Sequence, residues 1–405
     1  MSAMRGEVGP RGRSAKSDCW MNLEIRESGG VEIELKSKVM VMFGESIRSQ
    51  LAEGLKSLGI EHATLEVEDA GAVPFVLDAR LETAARRADS NFDSELLPPL
   101  KVSLPPSARD RFRRSRLYLP GNQPKMFLNA GLHGADAYIL DLEDAVAPPE
   151  KDAARAIVRN ALRTVDFGDA ERMVRINQGE RGLKDLEWII PHPVQLVLIP
   201  KVESPEEVQA VETRIAEIAG RCGRKEPVWL MPIIESTRGA YKALEIAEAC
   251  ESIVALAVGL EDYTADLGVP RSDEGTESFW MRGQIVNACR AAGIQAIDTV
   301  YSDVANEEGL VASVLEAKQL GFDGKGCIHP RQIRPLHQAF APTAAEVDKA
   351  CKIVRAFEDA EEAGLGVVSL GSKMIDAPVV KRALQTVKMA KAIGILAENW
   401  REVEA

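Results

Sequence analysis

Several short apolar runs in the sequence each end in an ionisable or polar residue. "AYILDLED" closes on Asp141, Glu143 and Asp144, "MVRIN" carries Arg175 and Asn177, and "QLVLIPK" ends in Lys201. "VWLMPIIES" delivers Glu235, "IVALAVGLED" delivers Glu261 and Asp262, and "RLYLPGN" ends in Pro120-Gly121-Asn122. "QAID" adds Asp298 and "CIHP" adds His329. Glu235 and Asp262 close consecutive runs, so two adjacent strands would bring their carboxylates to one point. Oxygen ligands without His or Cys suit a hard cation, Mg²⁺ or Mn²⁺, bound through one or two carboxylates plus water and substrate. For either acid alone, capping the following helix explains it equally well, because the helix N-terminus favours negative charge.

Arg175 offers a planar fork that can grip a substrate carboxylate through two parallel hydrogen bonds. Its competing role is a salt bridge to Asp141 or Glu143. Lys201 raises Schiff-base chemistry, which needs a desolvated, neutral amine. The acids around it argue that the charge stays, leaving Lys201 as a substrate contact with Gly121, Asn122 and Glu143. His329 has two readings, a structural hydrogen-bonder at a strand-to-helix turn or a site residue.

These residues need a scaffold that presents strand ends on one face. From Arg114 onward short apolar runs alternate with helical stretches such as "KDAARAIVRNALRTV" and "SPEEVQAVETRIAEIAG". That alternation means β-α units and a parallel sheet. Eight such strands in about 215 residues point to a (β/α)8 TIM barrel, an α/β fold whose sites lie at the carboxyl ends of the strands. An open dinucleotide-binding sheet would show G-x-G-x-x-G after its first strand, and the sequence has none. The barrel is assigned to 114–340. A C-terminal helical extension follows at 341–405, with helices at 343–363 and 376–397 around "GVVSLGSKMID".

Ahead of the barrel, 20–88 reads as a small α+β domain. "WMNLEI" and "VEIELK" suggest a hairpin, "FGESIRSQLAEGLKSLGI" a helix, "ATLEVEDAG" a strand, "PFVLDAR" a strand and "LETAARRA" a closing helix. Residues 89–113 hold two Pro-Pro pairs and read as an interdomain linker. Residues 1–19, broken by Gly and Pro and without amphipathic periodicity, read as a flexible arm and not a targeting peptide. A net charge of −12 argues against nucleic-acid and anionic-membrane partners. The six cysteines form no C-x-x-C pair, which suits reduced thiols in a cytoplasmic protein. No apolar run reaches the roughly 18 residues of a membrane helix.

The phrases "RSRLYLPGNQPKM", "DLEDAVAPPEKDAAR", "VRINQ", "IPKVES", "IIEST", "GLEDYTADLG", "DTVYSDVANEEG", "GFDGKGCIHPRQI" and "MIDAPVVKRA" closely resemble the citrate lyase beta-subunit family. That group includes malyl-CoA and citramalyl-CoA lyases. "FGESIRSQLAEGLKSLGIEHATLEVEDAGAVPFVLDARLETAARRA" resembles the citrate lyase gamma subunit, an acyl carrier. The resemblance implies a carrier–lyase fusion that cleaves a citryl thioester to oxaloacetate and an acetyl thioester. The alternative is a lyase for free malyl-CoA or citramalyl-CoA, with the fused domain as scaffold.

By the same resemblance, Glu235 and Asp262 match the Mg²⁺ (or Mn²⁺) ligands and Arg175 the catalytic carboxylate clamp. Arg116 matches a substrate-binding cation beside the Pro-Gly turn. Asp376 matches an acid/base residue lent by a neighbouring subunit, which implies a homotrimer or a multiple of it. Carriers of this type bear a CoA-like arm, phosphoribosyl-dephospho-CoA, on a serine near the N-terminus, and work with a citrate lyase alpha subunit that exchanges the acyl group. Aligned on Asp18, the attachment position is Lys16, whose amine cannot form the phosphodiester. Ser17 or Ser14 would then accept the arm, or the domain is unloaded.

Overall fold

The computed structural model describes residues 4–12, 15–97, 106–362, 368–370 and 373–401. The chain divides into two compact units, Met1–Ile333 and Arg334–Ala405.

The first unit begins with a four-stranded sheet. Its strands are β1 (Met4–Val8), β2 (Cys19–Ile25), β3 (Val31–Ser37) and β4 (Ala63–Asp69), in the order β1-β2-β4-β3. Two helices, α1 (Met40–Ser57) and α2 (Pro74–Ala88), complete it. Three expectations change here. "WMNLEI" and "VEIELK" are not a hairpin: β4 lies between them, antiparallel to β2 and parallel to β3. The short "RESGG" turn misled, because the in-register partner of both strands is the alternating "ATLEVED". "PFVLDAR" is not a strand but the first half of α2, where Pro74 sits at the helix start, its natural place. Within the arm, Met4–Val8 pair antiparallel with β2. Ser14 lies outside the described residues.

The eight barrel strands follow in chain order: β5 (Ser115–Pro120), β6 (Ala137–Asp141), β7 (Glu171–Arg175), β8 (Leu196–Ile199), β9 (Trp229–Ile234), β10 (Ala255–Val258), β11 (Gln295–Asp298) and β12 (Gly324–Cys327). β12 pairs with β5 and closes the barrel. Around it run α3 (Lys151–Thr164), α4 (Gly179–Ile189), α5 (Pro205–Cys222), α6 (Thr237–Tyr241), α7 (Ala243–Ala247), α8 (Leu260–Leu267), α9 (Phe279–Ala292) and α10 (Glu307–Leu320). Its interior is filled by Ala137, Ile139, Met173, Leu196, Leu198, Met231, Ile233, Ala255, Ala257 and Ile297. Successive strand side chains point to opposite faces. The inward register that places Ile139, Met173 and Ile233 therefore continues to Asp141, Arg175 and Glu235. At the other end Arg113 grips Glu171 at 2.7 and 2.9 Å, both fully buried.

The small domain packs on the barrel through α2 and α3. Residues 75–77 and 79–85 of α2 are buried, so it lacks the exposed face of a surface helix. Its Glu82 accepts two hydrogen bonds from Arg159 Nη2 at 2.7 and 2.8 Å, with neither side chain exposed. Asn160 Nδ2 donates to the Phe75 carbonyl at 2.9 Å, and Arg87 grips Asp152 at 2.7 and 2.9 Å. The start of the proline-rich stretch is also held, since Arg163 Nη1 donates to the Leu97 carbonyl at 3.0 Å.

In the second unit, α11 (Ile333–Phe340, whose first residue belongs to the first unit), α12 (Ala344–Glu362) and α13 (Ala377–Ala392) accompany an antiparallel pair, β13 (Val368–Leu370) and β14 (Lys373–Ile375). Ile353, Val354, Val380, Val387 and Trp400 form its core. Among the described residues no helix is long and apolar enough to cross a membrane.

Removing one partner of a buried ion pair strands the other charge, at a cost of about 3–5 kcal/mol. Glu82→Ala should therefore lower unfolding stability by that order in urea titrations. Glu82→Leu combined with Arg159→Met should recover most of the loss.

Candidate active site

The mouth of the barrel holds a cavity of about 390 Å³ lined by Arg116, Tyr118, Asp141, Arg175, Glu235 and Asp262 among others. Arg175, the last residue of β7, donates from Nε and Nη2 to the two oxygens of Asp141, each at 2.7 Å. Its Nη1 lies 3.0 Å from Glu143 Oε2, and its guanidinium stacks 5.2 Å from the centroid of the Tyr118 ring. Burial works against its charge, but the Asp141 contact and the nearby acids hold its pKa above the usual arginine range. Both sequence-level roles of Arg175 stay compatible, because three of its five N–H groups serve these acids and two remain.

Glu235 directly follows β9 and is 6% exposed. Its Oε2 accepts the Lys201 backbone N–H at 2.9 Å. Gly259, at the end of β10, lies against the carboxylate: a Cβ there would stand 2.1 Å from Glu235 Oε1. No larger residue leaves that carboxylate in place. Burial pushes the Glu235 carboxyl up to about 7 from its ordinary 4.5, with Asp262 and Glu143 adding to the rise. Arg175 and the Lys201 N–H pull the other way. Asp262 sits in the first turn of α8, one residue beyond Glu261. Its Oδ1 is 3.0 Å from Lys201 Nζ. Burial lowers the Lys201 pKa, yet the Asp262 contact and the nearby acids raise it overall, so its amine stays protonated. Schiff-base chemistry is thereby disfavoured.

Arg116 lies inside the barrel, fully buried, and Nη1 contacts Met231 Sδ at 3.0 Å. It makes no ion pair among the described residues, and its Nε has no hydrogen-bond partner there. Glu143 accepts from Gln178 Nε2 at 2.9 Å, and burial raises its pKa. The Gly121 N–H donates to the Asp141 carbonyl at 2.8 Å, an approach a Cβ would block at 2.5 Å.

Glu261 and Asp298 also line this cavity but are already ion-paired, whereas Asn177, His329 and Asn122 do not line it. Glu261 pairs with Arg271, and Asp298 is locked between Arg282 and Lys325 in the barrel wall. Asn177 is bonded to Asp185, and His329 Nδ1 accepts the Arg331 N–H as a local cap. Asn122 lines a separate cavity of about 410 Å³ with Lys16, Asp18, Arg80, Lys125 and Glu150, between the small domain and the loop after β5. Ser17 is half-buried with φ +53°, and its N–H donates to the Ala70 carbonyl. Asp376, in the second unit, is exposed and caps α13 by accepting the Val379 N–H at 3.1 Å. Sequence reasoning missed Tyr118, Gln178 and Gly259. The glycine closing "AVG" one step before "LED" was the available sign.

Residues 114–330 match the family model described as HpcH/HpaI aldolase/citrate lyase. The chain belongs to the HpcH/HpaI aldolase/citrate lyase family. Residues 11–88 match a second model, described as malonate decarboxylase delta subunit and labelled as an acyl carrier protein. Among curated members of the lyase family, the citrate lyase subunit beta of Escherichia coli K12 is 45% identical over 294 residues, covering 72% of this chain and 97% of the relative. The mitochondrial citramalyl-CoA lyase of Homo sapiens is 33% identical over 297 residues, covering 69% and 86%. The solved family structure of CitE from Mycobacterium tuberculosis, in complex with magnesium, acetoacetate and coenzyme A, is 30% identical with a TM-score of 0.57, covering 70% and 99%.

Among the described residues no three His, Cys, Asp or Glu side chains form a metal cluster. The donor set still fits a hard cation. Glu235 and Asp262 give oxygens only and line one cavity. For Glu235, a folded-state value above the unfolded one means that the native protein binds the extra proton between about pH 4.5 and 7. Stability is then full below this window and falls as pH rises through it, by about 3 kcal/mol in total. In EDTA, Glu235→Gln should be more stable than the parent at pH 8, with the gap shrinking severalfold at pH 5, as read by urea unfolding.

Proposed function

We propose that the protein is a Mg²⁺-dependent carbon–carbon lyase cleaving a citryl thioester to oxaloacetate and an acetyl thioester, with Glu235 and Asp262 as the metal ligands. The observation that carries this reading is their placement on one cavity with two buried guanidinium groups, Arg175 and Arg116. The 45% identity to a citrate lyase beta subunit supports citryl over its homologues. When bound, Mg²⁺ supplies Lewis-acid polarisation of the substrate oxygen that becomes the ketone.

The chain's own groups do the rest. Arg116, buried without an ion-pair partner, is a ready clamp for a substrate carboxylate, and Arg175 adds its two remaining N–H groups. Glu143, Lys201 and Gly121 remain the further substrate contacts of the barrel mouth, and Asn122 one of the separate cavity beside Lys16 and Lys125. Asp376 of a neighbouring copy is the acid/base group: it takes the hydroxyl proton as the C–C bond breaks, or returns one to the thioester enolate, each worth about 10²–10⁴-fold. This makes the protein a homo-oligomer, a trimer or multiple, acting in the cytoplasm, with an alpha-type subunit as acyl-exchange partner if an arm is loaded. The division into carrier-like domain, linker 89–113, barrel 114–340 and extension 341–405 belongs to the same reading, with Met4–Val8 counted in the carrier-like domain's sheet.

A second reading, a lyase for free CoA thioesters such as malyl-CoA or citramalyl-CoA, has its own observation. The small domain is fastened by the buried Glu82–Arg159 pair, Lys16 stands at the attachment position, and Ser17 is half-buried in a left-handed turn. A docked, unloaded domain is a scaffold. Lys16 and Lys125, facing one cavity, then suit the phosphates of a free CoA.

Excess EDTA, Glu235→Gln and Asp262→Asn should each reduce turnover by at least about 10²-fold with unchanged circular dichroism; full turnover in EDTA rules out the metal mechanism. A panel of citryl-, malyl- and citramalyl-CoA ranks the substrates, and faster malyl or citramalyl cleavage selects the second reading. Intact mass from the native host decides the arm, since an added mass abolished by Ser17→Ala would make the domain a carrier.

Mixing inactive Asp376→Asn subunits with inactive Glu235→Gln subunits should restore part of the activity. No recovery in verified mixed oligomers would place the acid/base group elsewhere.

A further inference from the structure

Lys201 is the point where the two carboxylates meet. It follows β8 after Pro200 and has φ +51°, one of two non-glycine residues among those described with positive φ. A lysine there is strained, and such strain persists only where the surroundings enforce it. Glycine adopts this backbone freely, so the lysine side chain must contribute something glycine cannot. The left-handed turn aims the backbone N–H at Glu235 Oε2, 2.9 Å away, while Nζ reaches Asp262 Oδ1 at 3.0 Å. One residue thus ties the end of β9 to the first turn of α8. Its ammonium also feels Asp144 and Glu143.

We propose that Lys201 is a positioning residue and a place-holder for the metal: its backbone fixes Glu235, and its ammonium neutralises Asp262 until a divalent cation takes that carboxylate over. The inference rests on the metal reading of Glu235 and Asp262. While Nζ holds Asp262, the site is kept assembled and its acids are kept from repelling one another. A divalent cation must compete with that ammonium for Asp262 Oδ1 and is repelled by it. Once Asp262 is taken over, the ammonium is released beside the cavity, available to an anionic substrate. A purely structural lysine has the opposite consequence, because its loss would loosen the carboxylates and weaken metal binding.

The test is Mn²⁺ binding to the full chain without substrate, read by electron paramagnetic resonance and calorimetry at pH 7.5. Lys201→Met keeps the stem and removes the charge; Lys201→Gly keeps the left-handed backbone and the N–H. Charges about 4 Å apart near a protein surface interact strongly enough for an effect of about tenfold after solvent screening. Both variants should bind Mn²⁺ about tenfold more tightly than the parent, and KM for the thioester should rise. Unchanged or weaker Mn²⁺ binding by both variants, with native circular dichroism, overturns the place-holder role. Should Lys201→Met misfold, the glycine variant alone decides. If the parent itself binds no Mn²⁺, the metal reading fails and this inference with it. If the parent binds and neither variant binds more tightly, only the inference fails.

Discussion

The strict two-residue alternation of the barrel strands is the constraint on which the site depends. β6, β7 and β9 each present apolar side chains inward at alternate positions, and the next inward position is Asp141, Arg175 or Glu235. A one-residue slip would turn all three outward. The same register that builds the core therefore aims the chemistry, and the pairing of Asp141 with Arg175 across β6 and β7 locks it. Glycines mark where backbones must pass close by. Gly121 lets its loop approach Asp141, and Gly259 leaves room for the Glu235 carboxylate.

The second constraint is the seam between small domain and barrel. An outer barrel helix ordinarily exposes one face, yet residues 153–154 and 156–163 of α3 are buried. The alanines of α3 permit α2 to approach closely, and the Glu82–Arg159 pair fits only when both helices are in place. This buried ion pair holds the small domain in one docked pose on the barrel.

Much of this was legible in the sequence, for identifiable reasons. The barrel's strands and helices differ in period, so the eight β-α units stand out, and the strand-end residues follow from that period. What could not be read were relations across space. The β2–β4–β3 order depends on which strand offers a matching register, not on which is next. Asp298 and Asn177 look like site residues until Arg282 and Asp185 are seen to claim them. The resemblance placed Arg116 beside the Pro-Gly turn, and the inward register carries it fully buried into the barrel. Lys201 looked like one more cation because a left-handed φ leaves no mark in a lysine codon by codon reading.

Charge balance links these pieces. Asp141, Glu143, Asp144, Glu235 and Asp262 gather around Arg116, Arg175, Lys201 and Lys151, so acids outnumber bases at the barrel mouth. Burial pushes the Glu235 carboxyl up to about 7, and the neighbouring Asp262 and Glu143 add to the rise. Arg175 pulls the Glu235 carboxyl the other way while it is also bonded to Asp141 and Glu143. The Lys201 ammonium pairs with Asp262. The strained Lys201, the raised Glu235 carboxyl and Arg116, which makes no ion pair among the described residues, are three features of one acid-rich barrel mouth.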